Sequence, residues 1–245
     1  MISYMDFTSP SVQYAYDLRN NLMFKKDDQN FINALSIHQL NTLGNVSLLD
    51  IYLSQSNVVE PHTHQNASEL VYCISGAAVV SLINPFTKQL INIPISPGQV
   101  ANVPQGWWHY EIATVDHTHL LAIFDAPVPE FIGGSDLLRL TPASVLAHTY
   151  CLDSRLVADV LAPITDTVVI GPPANCSPAA SDQRDHVQRD HMQRNHVQRN
   201  HVQSEVRAPV QDNSAQGNHS QDGEGYPPAY LPQQYIGNGW RYPGL

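Results

Sequence analysis

Cysteines, long apolar runs and positive charge are all scarce in this chain, and each shortage excludes a class of protein. The three cysteines, Cys73, Cys151 and Cys176, are far apart, odd in number and never in a Cys-X-X-Cys arrangement, so no disulfide framework is expected. No stretch reaches the ~18 apolar residues of a membrane-spanning helix. The first residues lack the basic segment and apolar run of a secretory signal. We therefore expect a cytoplasmic protein without a membrane partner.

Basic residues are especially few in the first two thirds of the chain. Residues 1–170 contain 15 acidic and 6 basic side chains, whereas residues 171–245 contain 7 and 6. An acidic surface repels phosphate backbones, and no Lys/Arg cluster with interleaved aromatic residues offsets it. This excludes nucleic acid as a partner, and an anionic ligand would need the field of a metal ion.

The composition divides the chain into a folded part and a tail. Hydrophobic residues make up 42% of the chain, which is ample for one core, but few large aliphatic residues lie near the end. We predict an N-terminal arm over 1–45, a barrel over 46–126, a helical extension over 127–170 and a disordered low-complexity tail over 171–245.

The tail contains a five-residue repeat, QR(D/N)H(V/M), whose period fits neither a helix nor a strand. Its histidines are His186, His191, His196 and His201. They could gather weakly around a second ion, but a solvated spacer is the simpler interpretation, so no site is placed there.

Seven short β-rich runs follow one another from Val46, separated by turn residues. They are VSLLDIYL, ELVYCIS, AAVVSLI, QLINIPI, QVANVP, WHYEIATV and HLLAIFD. Strands spaced ~8 to 12 residues apart are typical of an antiparallel sandwich or barrel. Helix starts are indicated at Thr141–Pro142 and Asp153–Ser154, and a short helix could begin at Ser9–Pro10.

Four residues of metal-ligand type lie in this β-rich region. His62 and His64 stand two apart, so on a strand both imidazoles project from the same face. Glu69 follows after the polar interval QNAS, and His109 enters a later strand after two turns. Three neutral imidazoles and one carboxylate on a rigid barrel can hold a first-row divalent ion and leave one or two positions open.

A second His-X-His pattern, His117-Thr118-His119, lacks the carboxylate that completes the first. Five residues beyond His119 stands Phe124, not an acidic residue. We therefore predict an exposed loop pair rather than a metal site.

Two segments resemble the paired motifs of the cupin superfamily, namely PHTHQNASELVYCISG and PGQVANVPQGWWHYEIA. The positions in register are His62, His64, Glu69 and Gly76 in the first motif and Gly98, Pro104, Gly106 and His109 in the second. Two positions depart from the pattern, because Asn57 stands where the family has Gly and Ala113 stands where it has Asn. The resemblance runs from about residue 30 to residue 165 and is to germins and to one half of an oxalate decarboxylase.

This resemblance implies an all-β fold: a cupin double-stranded β-helix, or jelly-roll barrel, with a short C-terminal helical segment. The composition adds a disordered tail. The resemblance also implies that His62, His64, Glu69 and His109 are the ligands of a manganese ion, although the donor types also permit Fe, Zn or Ni. By analogy, the chain would be a homo-oligomeric, manganese-dependent enzyme acting on a small carboxylate, with decarboxylase or oxidase chemistry of the oxalate type. Substrate-binding residues do not carry over, because Val59 stands where oxalate decarboxylases have an Arg, and no catalytic residue is assigned, because no counterpart of their lid Glu can be placed.

Two alternatives remain open. The barrel could fold without a metal, as in the seed-storage branch of the superfamily. The chain could also be a non-catalytic structural or assembly protein of the coat or surface-layer type, with the barrel forming oligomers and the tail providing attachment.

Overall fold

Two antiparallel sheets, followed by three short helices, make up the fold in the computed structural model, which describes residues 5–176. The repeats of the tail and their four histidines lie outside the described residues. The strands, in chain order, are β1 (Leu22–Lys25), β2 (Phe31–Leu35), β3 (Ser47–Leu53), β4 (Val58–Thr63), β5 (Glu69–Ser75), β6 (Ala78–Asn84), β7 (Gln89–Ile95), β8 (Val100–Val103), β9 (His109–Ala113), β10 (Thr118–Phe124), β11 (Ile132–Gly133) and β12 (Ile170–Gly171). The helices are α1 (Gly134–Leu140), α2 (Ala143–Tyr150) and α3 (Ser154–Leu161).

The chain passes back and forth between the two sheets. One sheet has the strand order β1-β2-β3-β10-β5-β8, and the other has the order β11-β4-β9-β6-β7, with β12 also paired to β4. Neighbours such as β3 and β10 or β4 and β9 are distant in sequence, which is typical of a jelly roll. This confirms the predicted all-β jelly-roll fold with a short helical segment after it. No helix of the described part is long and apolar enough to cross a membrane.

All seven predicted β-rich runs are strands, β3 and β5 to β10. Both predicted helix starts are also confirmed: α2 begins after Pro142, and α3 begins after Asp153, whose carboxylate accepts from the backbone N–H of Arg155 and Leu156, both at 2.9 Å. Helix α1 was not predicted, because the segment before it reads as a Pro-rich connector.

The helix predicted after Ser9 is wrong. In this segment, turns occupy residues 7–11, residues 12–17 have no regular secondary structure, and a 3-10 turn follows at Leu18–Asn20. Its backbone is held by a loop instead, since the N–H of Gln13 donates to Asn41 Oδ1 at 3.0 Å and the Thr42 hydroxyl donates to the Gln13 carbonyl. Strands β1 and β2 also fall within residues 1–45, and β2 pairs with β3 over its whole length.

The core lies between the sheets and follows the two-residue period of the strands. In β10 the buried residues Leu120, Ala122 and Phe124 alternate with partly exposed ones. Val71 and Cys73 in β5 alternate in the same way. The regular alternation fixes which side chains of each strand can point into the barrel.

A buried carboxylate joins β4 to the helical extension. Glu60 accepts hydrogen bonds from the backbone N–H of Ser135 (2.8 Å), from its hydroxyl (2.9 Å), and from the N–H groups of Val168 (3.1 Å) and Val169 (2.9 Å). Gly133 leaves room for this carboxylate, because a Cβ there would lie 2.5 Å from Glu60 Oε1. Since charged hydrogen bonds are among the stronger ones, the four contacts hold β4 firmly two residues before His62.

Candidate metal centre

The four ligand-type residues predicted from the sequence come together inside the barrel. His62 in β4 lies directly opposite His109 in β9, while Glu69 is the first residue of β5 in the other sheet and His64 follows β4 immediately. One ligand atom from each lies within 4.8 Å of the others, and all four side chains are buried. Both sheets therefore contribute to a single centre.

The distances between the donor atoms suit a first-row divalent ion. His62 Nε2 and His64 Nε2 are 3.1 Å apart, His109 Nε2 and Glu69 Oε2 are 2.7 Å apart, and His64 Nε2 and Glu69 Oε2 are 3.5 Å apart. Ligand bonds of about 2.0 to 2.2 Å put neighbouring donors on one ion about 3 Å apart. The residues present can thus share one ion without a large rearrangement.

Backbone carbonyls fix the orientation of all three imidazoles. The Nδ1–H groups of His62, His64 and His109 donate to the carbonyls of Glu60 (2.6 Å), Glu130 (2.6 Å) and Trp107 (2.8 Å), respectively. A carbonyl only accepts, so each neutral ring carries its lone pair on Nε2, which faces the centre. Two such lone pairs 3.1 Å apart repel one another unless a cation lies between them, and this supports a divalent metal.

Hydrogen bonds from the loop after β10 hold the surroundings of His64 in place. The Asn66 side chain donates to the Val128 carbonyl at 2.9 Å and accepts from the N–H of Glu130 at 2.8 Å. This places the Glu130 carbonyl where it accepts from His64. The Phe124 ring packs edge-on against His64, with centroids 4.6 Å apart. Partners of this kind orient ligands and tune the affinity of a metal site.

Charge is distributed unevenly over the centre in the absence of an ion. Burial, with the nearby His109, lowers the pKa of His62 well below its usual value. Burial also opposes charge on His109, but the hydrogen bond to Glu69 and the nearby Glu111 raise its pKa to about 9. The Glu69 pKa is lowered in spite of burial, because His109 and His64 hydrogen-bond to it. The metal-free centre therefore contains a buried ion pair between His109 and Glu69.

A second buried carboxylate, Glu111, faces the centre and was missed by the sequence reasoning. It is 1% exposed, and among the described residues neither of its oxygens has a hydrogen-bond partner. Its Oε1 lies 3.8 Å from His109 Nε2, and burial together with Glu69 raises its pKa. The signal was available, because Glu111 stands two residues after His109 and must share its face of β9.

The second His-X-His pattern is not part of this centre. His117 is exposed at a turn with φ of 56°, as predicted. The prediction of an exposed loop was wrong for His119, which lies within β10, hydrogen-bonds through Nε2 to Asp50 Oδ1 at 2.6 Å and stacks on Tyr52 with centroids 4.1 Å apart. A His-X-His pattern therefore predicted a metal centre only where an acidic residue accompanied it in the sequence.

A cavity of about 260 Å³ adjoins the centre. His62, His64, Glu69 and Glu111 form its polar part. The other lining residues are apolar and include Phe24, Ile32, Leu49, Ile51, Val59 and Phe131. A small molecule in this cavity would lie against the open side of the centre.

The fold and the site together define a β-barrel with a buried three-histidine, one-carboxylate centre. The family model described as "Cupin" matches residues 28–158. The chain therefore belongs to the cupin family, as the motif spacing predicted.

Curated relatives include both germin-like proteins and glutelins. The chain is 33% identical over 123 residues to germin-like protein subfamily 2 member 1 of Arabidopsis thaliana, a match that covers 48% of this chain and 55% of the relative. It is 27% identical over 149 residues to glutelin type-B 2 of Oryza sativa subsp. japonica, covering 60% of this chain and 29% of the relative. The matches thus span about half, or less, of the length of these relatives.

Solved structures with the same fold include an oxalate decarboxylase and an 11S globulin. Oxalate decarboxylase from Bacillus subtilis superposes with a TM-score of 0.60 at 18% identity, covering 69% of this chain and 44% of that one. Procruciferin, an 11S globulin from Brassica napus, superposes with a TM-score of 0.62 at 20% identity, covering 71% and 46%. At this level of identity the similarity establishes the fold.

Proposed function

We propose that this cupin is a metal-dependent enzyme that acts on a small carboxylate. The observation that carries the proposal is the convergence of three imidazole Nε2 atoms and one carboxylate beside a cavity. His62, His64, Glu69 and His109 would hold the ion, with manganese as the first choice and Fe, Zn or Ni also compatible with these donors. The analogy to oxalate decarboxylase adds a class of reaction to this geometry.

The chain's own residues supply positioning and exclusion of water. The carbonyls of Glu60, Trp107 and Glu130 keep the imidazoles oriented before anything binds, and the Glu69 charge offsets part of the charge of a divalent ion. The apolar wall of the cavity lowers the local dielectric constant around a bound ligand, which strengthens electrostatic contacts. When bound, the ion supplies Lewis-acid chemistry by polarising a carboxylate oxygen.

The proposal is tested by elemental analysis and turnover of the full chain. We expect about one divalent ion per purified chain, and turnover of oxalate or another small carboxylate after loading with Mn(II). His62→Ala should lose both properties, whereas His117→Ala, which alters the exposed His-X-His pattern, should keep both. A wild-type protein that binds no ion, or is inactive in every metal form toward such acids, would refute the proposal.

Metal binding should release protons, because His109 carries a second proton, on Nε2, below pH about 9 in the metal-free centre. An ion needs the lone pair of Nε2, so this proton must leave when the ion binds. We expect affinity to rise about tenfold per pH unit from pH 7 toward 9 for each proton released. Calorimetric titrations in buffers of different ionisation enthalpy would measure at least one proton per ion at pH 7.5, and an affinity independent of pH would contradict this.

A non-catalytic assembly protein is the second candidate, and the helical extension favours it. Leu152, Leu156 and Val160 expose between 56% and 71% of their surface, so this apolar face is suited to contact another copy of the chain. Homo-oligomerisation is compatible with either function. Deletion of residues 177–245 separates them, since an enzyme should keep its turnover whereas an attached assembly protein should change its location.

The cytoplasmic location expected from the sequence remains a prediction, which cell fractionation would check.

A further inference from the structure

The cavity beside the centre is apolar, and this restricts the kind of carboxylate that it can take. Nine of the thirteen lining residues are apolar, and Ile51, Val59 and Phe131 are among them. An apolar cavity of about 150 Å³ accommodates benzene. The volume of about 260 Å³ therefore has room for a ring or a branched aliphatic group together with a short acid group.

The charges in the cavity disfavour a ligand with two carboxylates. Among the described residues that line it, none is Lys or Arg, and two are acidic, Glu69 and Glu111. Glu69 is already paired with His109 and His64. One carboxylate of a ligand could meet the metal ion, but a second carboxylate would be buried among apolar side chains without a cation, which is unfavourable. The walls and the charges both favour a monoanion with an apolar body.

Glu111 adds a requirement for a hydrogen-bond donor. Its oxygens are buried and without a hydrogen-bond partner among the described residues, and the 3.8 Å to His109 Nε2 is too long for a hydrogen bond. A buried carboxyl group without a partner is unfavourable. A hydroxyl group on the ligand would supply the missing donor, and a site built around such a contact rejects analogues that lack it.

We propose that Glu111 determines the specificity of this cavity and that its ligand is an apolar 2-hydroxy carboxylate. The acid group would face the metal centre, the hydroxyl group would donate to Glu111, and the apolar body would contact the wall that includes Ile51 and Phe131. This inference rests on the proposed function, because it assumes a metal ion held by the four predicted ligands.

The test compares three probes on the full-length protein after its metal content has been measured. Mandelate carries a ring, one carboxylate and a 2-hydroxyl group, phenylacetate lacks only the hydroxyl group, and oxalate has two carboxylates and no apolar body. Binding to the Mn(II)-loaded protein is followed by calorimetry and by the electron paramagnetic resonance of Mn(II). We expect mandelate to bind at least about tenfold more tightly than either of the other two.

Two variants separate a contact with Glu111 from simple chelation of the metal by the hydroxy acid. In Glu111→Leu, the preference for mandelate over phenylacetate should fall to within about threefold at unchanged metal content, because leucine offers no acceptor. Glu111→Gln keeps an acceptor of similar size, so it should retain part of this preference at unchanged metal content.

The outcomes are distinguishable. Equal binding of mandelate and phenylacetate by the wild type, or tighter binding of oxalate, would overturn the assignment of the ligand while leaving the proposed function intact. A preference for mandelate that persists in Glu111→Leu would overturn the role of Glu111. A wild-type protein that takes up no metal would overturn the proposed function and this inference with it. The wild-type series decides the ligand class even where a variant fails to fold.

Discussion

Replacing His62 with alanine is expected to lower the affinity for Mn(II) by more than about 100-fold. Changes in the partners that merely orient metal ligands already reduce affinity by about 10 to 100-fold, and His62 supplies a donor atom itself. Its Nε2 lies 3.1 Å from His64 Nε2 and is directed inward by the bond to the Glu60 carbonyl. A competition titration of the full chain against a chromogenic chelator would measure the change.

The control for this variant is His117→Ala, which alters the other His-X-His pattern. His117 is exposed and belongs to no group of potential ligands among the described residues, so its loss should change the affinity by less than about twofold. His62→Gln tests whether the lower Mn(II) affinity of His62→Ala comes from the empty space that alanine leaves. Glutamine fills much of that volume without restoring the imidazole. Equal affinities for wild type and His62→Ala would contradict the assignment of His62 to the centre.

Local patterns in the sequence predicted most of the barrel. Runs such as ELVYCIS and HLLAIFD alternate between buried and exposed residues because each is a strand with one face on the core. The same period places His62 and His64 on one side of the chain. Turn residues and the spacing of the two cupin-like motifs then allowed the four ligand-type residues to be assigned to one centre.

Long-range contacts account for what the sequence did not predict. The segment after Ser9 has a helix-start signal, yet the backbone N–H and carbonyl of Gln13 hydrogen-bond to the side chains of residues 41 and 42. Glu60 reads as an ordinary charged residue, but its four donors lie about 75 to 109 positions further along the chain. The Glu130 carbonyl that orients His64 comes from a segment that reads only as a connector. Such contacts become visible only once the strands are paired.

The metal centre therefore depends on the register of the strands that carry its ligands. His62 and His109 face each other across β4 and β9, and Glu69 enters from the other sheet through β5. A shift of one residue in any of these strands would turn its ligand to the opposite face. Glu60 secures β4, and the turn after β5 has an equally specific requirement at Gly76.

Replacing Gly76 with alanine is expected to reduce the free energy of unfolding by about 2 to 5 kcal/mol. Gly76 has φ of 75°, and a Cβ there would lie 2.6 Å from the Cα of Thr118, a backbone atom at the start of β10. The left-handed conformation costs a residue with a side chain about 1 to 2 kcal/mol, and the overlap adds about 1 to 3 kcal/mol. Urea denaturation of the full chain at a fixed metal concentration would measure the loss.

Gly98→Ala is the matched control, because it separates backbone conformation from steric overlap. Gly98 has φ of 84°, but no atom lies within 4 Å of the Cβ position, so this variant should lose only about 1 to 2 kcal/mol. The difference between the two variants measures the contact with Thr118. Equal losses would mean that β5 and β10 can separate at this turn without cost. The close approach at Gly76 would then have no part in fixing the strand that carries Glu69.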